Sequence, residues 1–132
     1  MAANTSPIFV LTPAAANAST GLSANTALDG SGTITSVFTA GTNGSRVESV
    51  YLTHFGTNVA TVVRFFLDPT GSAGYKLIHE ETMASNNLSQ TAASTPVVWN
   101  ASLDIPAGSK LGVTIGTAIA SGIEVYVVGG NY

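Results

Sequence analysis

The sequence predicts an all-β domain: a two-sheet antiparallel β-sandwich of jelly-roll type with about eight strands. Three observations predict it. From residue 28 onward, short apolar runs rich in β-branched residues alternate with clusters of Gly, Asn, Pro and Ser. No stretch of about 11 residues holds a helical period. The chain has 132 residues and no cysteine, so it suits one domain that must be held by its core rather than by disulfides. A jelly roll is the common eight-stranded form. An immunoglobulin-like sandwich, lacking its usual disulfide, is the alternative.

Residues 1–27 read as an N-terminal arm, partly extended, ahead of a sandwich domain over 28–132. They hold Pro7, Pro13, the run Ala14-Ala15-Ala16 and many small polar residues. The apolar segment Ile8-Phe9-Val10-Leu11 interrupts them and gives a first strand over 7–11. This arm is either a frayed terminus or a strand that pairs with a neighbouring sheet edge. The remaining strands are expected at 33–40, 45–55, 60–68, 75–83, 97–105, 110–117 and 122–129.

Two of these alternate cleanly. Val97, Trp99, Ala101, Leu103 and Ile105 share one face of 97–105, and Leu111, Val113 and Ile115 share one face of 110–117. Trp99 therefore reads as core rather than as a ligand platform. Two others are apolar on both faces: Val63, Phe65 and Leu67 oppose Val62 and Phe66, and Ile123, Val125 and Val127 oppose Tyr126 and Val128. Strands of this kind are covered on both sides, and in so short a chain another subunit is a candidate for the second cover.

Asp68-Pro69-Thr70-Gly71 and Ile105-Pro106-Ala107-Gly108 are turn sequences, because proline fixes φ and glycine accepts positive φ. Thr42-Asn43-Gly44-Ser45 predicts a tight hairpin. Residues 83–93, rich in Asn, Ser and Thr, read as a long loop. Gly30-Ser31-Gly32 lacks the third glycine and the following helix of a phosphate loop, so it is a turn.

Charge is scarce. Four Lys or Arg and seven Asp or Glu make 8% of the chain, with a net charge of −3, against about 25% in an ordinary domain. Arg46, Arg64, Lys76 and Lys110 stand singly, so no basic stripe exists for nucleic acid or anionic lipid. No run of about 18 apolar residues predicts a membrane helix. The N-terminus does not look like a secretory signal, which points to synthesis in a cytoplasm. So little charge leaves few means of keeping copies apart, so the surface is expected to be covered by copies of the chain or by neighbours.

Chemistry is hard to find. A metal could in principle use His54, His79, Glu80 and Glu81, but adjacent strand residues point to opposite faces and the spacing fits no ligand motif. Exposed strand histidines are the better reading. No serine sits in Gly-x-Ser-x-Gly, and the seven carboxylates mostly stand alone. No catalytic residue, cofactor or metal is expected, and a small-molecule ligand is not expected either.

The segment Asn25-Thr26-Ala27-Leu28-Asp29-Gly30-Ser31-Gly32-Thr33 continues through Val37-Phe38-Thr39-Ala40-Gly41 and Asn43-Gly44-Ser45-Arg46-Val47. Gly56-Thr57-Asn58-Val59-Ala60-Thr61, Leu103-Asp104-Ile105-Pro106-Ala107-Gly108 and the closing Val128-Gly129-Gly130-Asn131-Tyr132 follow it. Together, over roughly residues 25–132, they resemble small virion structural proteins of tailed bacteriophages, of the capsid decoration or cement kind. The resemblance implies a β-rich subunit, often a homotrimer, made in the host bacterial cytoplasm and seated on the capsid surface against the major capsid protein. It supplies no site residues. The expected assembly contacts come from the residues themselves: Ile8, Phe9, Val10 and Leu11 in the arm, Tyr126 on the open face of its strand, and Tyr132 at the C-terminus. The alternative function is a receptor- or glycan-binding tip of a tail fibre, using Tyr126 with loop residues such as Asn86 and Asn87.

Overall fold

The computed structural model describes residues 10–18, 24–72 and 74–132. Among these there is no helix, and nine strands form two antiparallel sheets. They are β1 (Thr12–Ala18), β2 (Thr35–Thr39), β3 (Ser45–His54), β4 (Thr61–Asp68), β5 (Lys76–Met83), β6 (Val97–Trp99), β7 (Leu103–Ile105), β8 (Lys110–Ile115) and β9 (Ile123–Asn131).

Pairing runs from the outside of the chain inward. β1 pairs with β9, β2 with β8, β3 with β6 and β7, and β4 with β5. Successive pairs fall in alternate sheets, giving the orders β1-β9-β3-β6 (β7 also on β3) and β2-β8-β4-β5. This is a ribbon of paired strands rolled up on itself, the jelly roll. An immunoglobulin-like sandwich pairs its strands in a different order.

The core lies where the inner faces meet. Val47, Val50 and Leu52 of β3, Leu111, Val113 and Ile115 of β8, and Ile123, Val125 and Val127 of β9 are all buried there. The period-2 readings hold. Val97, Trp99, Ala101 and Leu103 pack against the core as partly buried side chains, and Ile105 joins it.

Several expectations are corrected. The strand expected over 97–105 is two strands, because Ser102 takes a φ of 48° and donates its N–H to Glu48 O at 3.3 Å. Glu48 is the extra residue of a bulge between Val47 and Ser49 of β3, so two irregularities meet and absorb one another. The Thr42–Ser45 turn is tight, with Gly44 at φ 90°. It is not a hairpin, since β2 and β3 belong to different sheets. Turn chemistry reverses the chain but does not choose its partner. The Asp68–Gly71 turn does close a hairpin, β4 to β5, with Asp68 Oδ1 accepting the N–H groups of Thr70 and Gly71.

At the start of the chain, a strand lies at Thr12–Ala18, and of the strand expected over 7–11 the described residues Val10 and Leu11 belong to none. Residues 7–9, and with them Ile8 and Phe9 of the expected contacts, lie outside the described residues. Within the span read as an arm, β1 is thus an integral strand of the five-stranded sheet. Ala14, Ala16 and Ala18 face the core and pack against it as partly buried side chains.

The outer face of β4 also departs from expectation, because its cover comes from the same chain. Phe66 is fully buried yet lies outside the main core cluster. Its neighbour across the ladder, Gly112, sits beneath Ile34 and Tyr75, whose side chains occupy the space a Cβ there would need. Nearby, Arg64 donates to Asn25 O at 3.3 Å and Asn25 N–H donates to Ile115 O at 2.8 Å. The chain before β2 is therefore laid over the four-stranded sheet.

Candidate functional site

The five-stranded sheet has no such cover among the described residues. Its outer face is set by β9, whose Ile123, Val125 and Val127 turn inward and are fully buried. Tyr126 and Val128 turn outward with 42% and 36% exposure. Cross-strand register extends this into a row. Asn17 of β1 lies opposite Tyr126, Tyr126 opposite Tyr51 of β3, and Tyr51 opposite Val98 of β6. Tyr51 is 44% exposed and Val98 43%. Directly paired residues on neighbouring strands hold their Cβ atoms about 5 Å apart, so the two tyrosines stand side by side on this face.

Polar groups bound the row at both ends. On one side Glu124 accepts a hydrogen bond from Asn17 Nδ2 at 2.7 Å. On the other, Arg46 joins Glu48 at 2.9 Å and Asp104 at 3.1 Å. Asp104 also accepts the hydroxyl hydrogen of Tyr132. The Tyr132 hydroxyl and then the Arg46 guanidinium hold the Asp104 carboxyl below its usual range, and the same carboxylate raises the Tyr132 hydroxyl. Beside the Arg46 group lies a depression of about 290 Å³ lined by Val10, Arg46, Glu48, Val128, Gly129 and Gly130.

The expected contact residues are thus partly brought together. Val10 and Tyr126 reach the same sheet face. Leu11 is 79% exposed beside it and donates its N–H to Asn131 O. Tyr132 is tied within its own chain, its N–H to Gly44 O and its hydroxyl to Asp104. Tyr51 and Val98 were missed from the sequence. Their signal was present as outward positions of strands, but strand register alone joins them to Tyr126.

The two histidines are half-buried structural groups rather than exposed ones. His54 donates from Nε2 to Ala84 O and accepts at Nδ1 from the Asn58 amide, both at 3.0 Å. Asn58 is buried, and its amide also donates to Gly122 O while its oxygen accepts from Ser121 N–H. His79 stacks on Trp99 with centroids 4.3 Å apart and bonds Glu81 at 2.7 Å. Glu80 points away to Arg64 at 2.8 Å. Among the described residues, no three His, Asp or Glu converge on a point that could hold a metal.

The loop after β5 forms a separate cavity of about 310 Å³ with a mixed lining that includes His54, Asn86, Ser94, Ala84, Ala93 and Val97. Asn86 is committed there, its amide donating to Gly56 O at 2.7 Å. Tyr126 does not line this cavity, so the fold does not assemble Tyr126 and Asn86 into one site.

Fold and site together define a jelly-roll domain with a sheet face that carries Tyr51 and Tyr126 and has no cover among the described residues. No protein-family model, curated protein or solved structure matches the chain.

Proposed function

We propose that the protein is a structural subunit of a bacteriophage particle, seated on the capsid surface and stabilising it. It docks on the major capsid protein through the outer face of its five-stranded sheet. The observation that carries the reading is the row Tyr126–Tyr51–Val98, with Val128 beside it, left open on a chain in which charged residues are only 8%. Exposed contiguous apolar surface rimmed by polar groups marks an interaction site. Arg46, Glu48, Asp104 and Glu124 supply that rim. Mechanism is mechanical: each copy that spans neighbouring capsid subunits buries area and raises the free energy of separating them.

The test is quantitative mass spectrometry of purified virions from the source of the gene. Hundreds of copies per particle are expected. A handful of copies would favour the tail-fibre reading, in which paired tyrosines beside Asn17 and Glu124 stack on a saccharide. Absence from the particle would overturn both.

A further inference from the structure

The edges of a sheet present unpaired N–H and C=O groups, and folded chains blunt them with charge, brevity or bulges. Three of the edges here are blunted. β5 carries Lys76, His79, Glu80 and Glu81, and its ladder with β4 shifts between Phe65 and Phe66. β2 has five residues and a shift between Ser36 and Phe38. β6 and β7 have three residues each. β1 is different: its seven residues pair with β9 without any shift, and none is charged.

The groups that β1 presents outward follow from its register. Phe55 N–H donates to Gly122 O, so Gly122, Glu124 and Tyr126 turn their backbone groups toward β3. Val125, Val127, Gly129 and Asn131 then turn theirs toward β1, onto Ala18, Ala16, Ala14 and Thr12. Pro13, Ala15 and Asn17 are left facing the outer edge, where no described strand pairs with them. Proline has no N–H to donate and is confined to such positions.

We propose that β1 is a joint between two copies of this chain, β1 of one lying antiparallel to β1 of the other about a two-fold axis through Ala15. In this register Ala15 N–H donates to the second copy's Ala15 carbonyl, and Asn17 N–H donates to its Pro13 carbonyl. Every outward N–H of the strand is used, and the donor that Pro13 lacks is the only gap. No like charges meet, whereas β5 paired with itself would bring carboxylates together. Ala15 is exposed, and its methyl group lets a strand approach. Asn17 is held aside by its bond to Glu124. The axis stands normal to the sheet, so both Tyr51–Tyr126 rows face the same way and the pair binds as a bivalent platform. The inference stands apart from the capsid reading, because it concerns the free protein.

Sedimentation velocity of the full chain over a concentration series tests it. A monomer–dimer equilibrium is expected. Ala15→Lys places two ammonium groups face to face and abolishes the dimer boundary, as does Ala15→Glu with two carboxylates. Mixing the two variants restores a dimer, and high salt weakens that restored dimer. Thr53→Lys, exposed on the same face but away from the edge, leaves the mass unchanged. Circular dichroism confirms that each variant is folded, and Ala15→Pro, which removes only an outward N–H, gives a second uncharged disruption. The proposal is overturned by a monomer at every concentration up to about 1 mM. It is equally overturned by a dimer or trimer whose mass Ala15→Lys leaves unchanged, or by a lysine–glutamate mixture that stays monomeric.

Discussion

Replacing Tyr126 with alanine separates docking from folding. The ring is 42% exposed, and a tyrosine carries roughly 150–250 Å² of surface, so a docked partner covers about 60–100 Å² more of it. At about 25 cal/mol per Å², that area contributes about 2 kcal/mol, or roughly 30-fold in affinity. The fold loses far less, because the inward side of β9 is carried by Ile123, Val125 and Val127. What goes is the pairing with Tyr51, worth up to about 1 kcal/mol. With unfolding entropy near 2.1 cal/mol/K per residue, 132 residues convert that to a fall of at most about 4 °C in Tm. The assay adds unmodified or Tyr126→Ala protein to particles lacking it, pellets the particles, and quantifies the bound chain against concentration. A binding curve that does not move would refute docking through this face. A Tm drop well beyond 4 °C would show that the ring supports the fold and that the face was misread.

Asn58→Ala removes an amide that serves His54, Gly122 and Ser121 at once. Orphaned buried partners cost about 1–3 kcal/mol, so calorimetry should show Tm lower by about 4–11 °C; a shift under about 2 °C would mean that the loops are pinned elsewhere. Asp104 has its folded pKa depressed, so its contribution is fully present above the unfolded carboxylate range and is lost as pH falls through the folded value. Tyr132 has its hydroxyl raised, so its share is present below the ordinary phenol range and is lost as pH climbs through the raised value. Asp104→Asn should therefore flatten the stability profile at both its acid and alkaline ends, by well under 1 kcal/mol at so exposed a pair. Denaturant melts across pH that are unchanged by the substitution would show that the bond adds nothing.

Most of the strand pattern was legible because its signal is local. Leu111-Gly112-Val113-Thr114-Ile115 alternates with period two whatever lies beside it, and the large side chains went to the core as read. What failed depends on contacts distant in sequence. Nothing near Ser102 says that its N–H will meet a bulge at Glu48. Nothing near Asn43-Gly44 says which sheet the next strand joins. β1 is not signalled by its own residues for another reason: alanine has weak β-propensity, so Ala14-Ala15-Ala16 does not read as a strand.

The site shows the same division between local and distant signal, and it explains why the two doubly apolar strands have different fates. β4 and β9 look alike in sequence, yet residues 24–34 and Tyr75 belong to the four-stranded side and close over Phe66 and Gly112. No described segment does this for Tyr126 and Val128. An apolar pattern on both faces of a strand therefore says only that a cover is called for. Among the described residues, the connection before β2 supplies that cover on one sheet only. Tyr126 and Val128 are left without such a cover among the described residues. That is why the outer face of the five-stranded sheet, rather than either histidine or the loop cavity, is where a partner is to be sought.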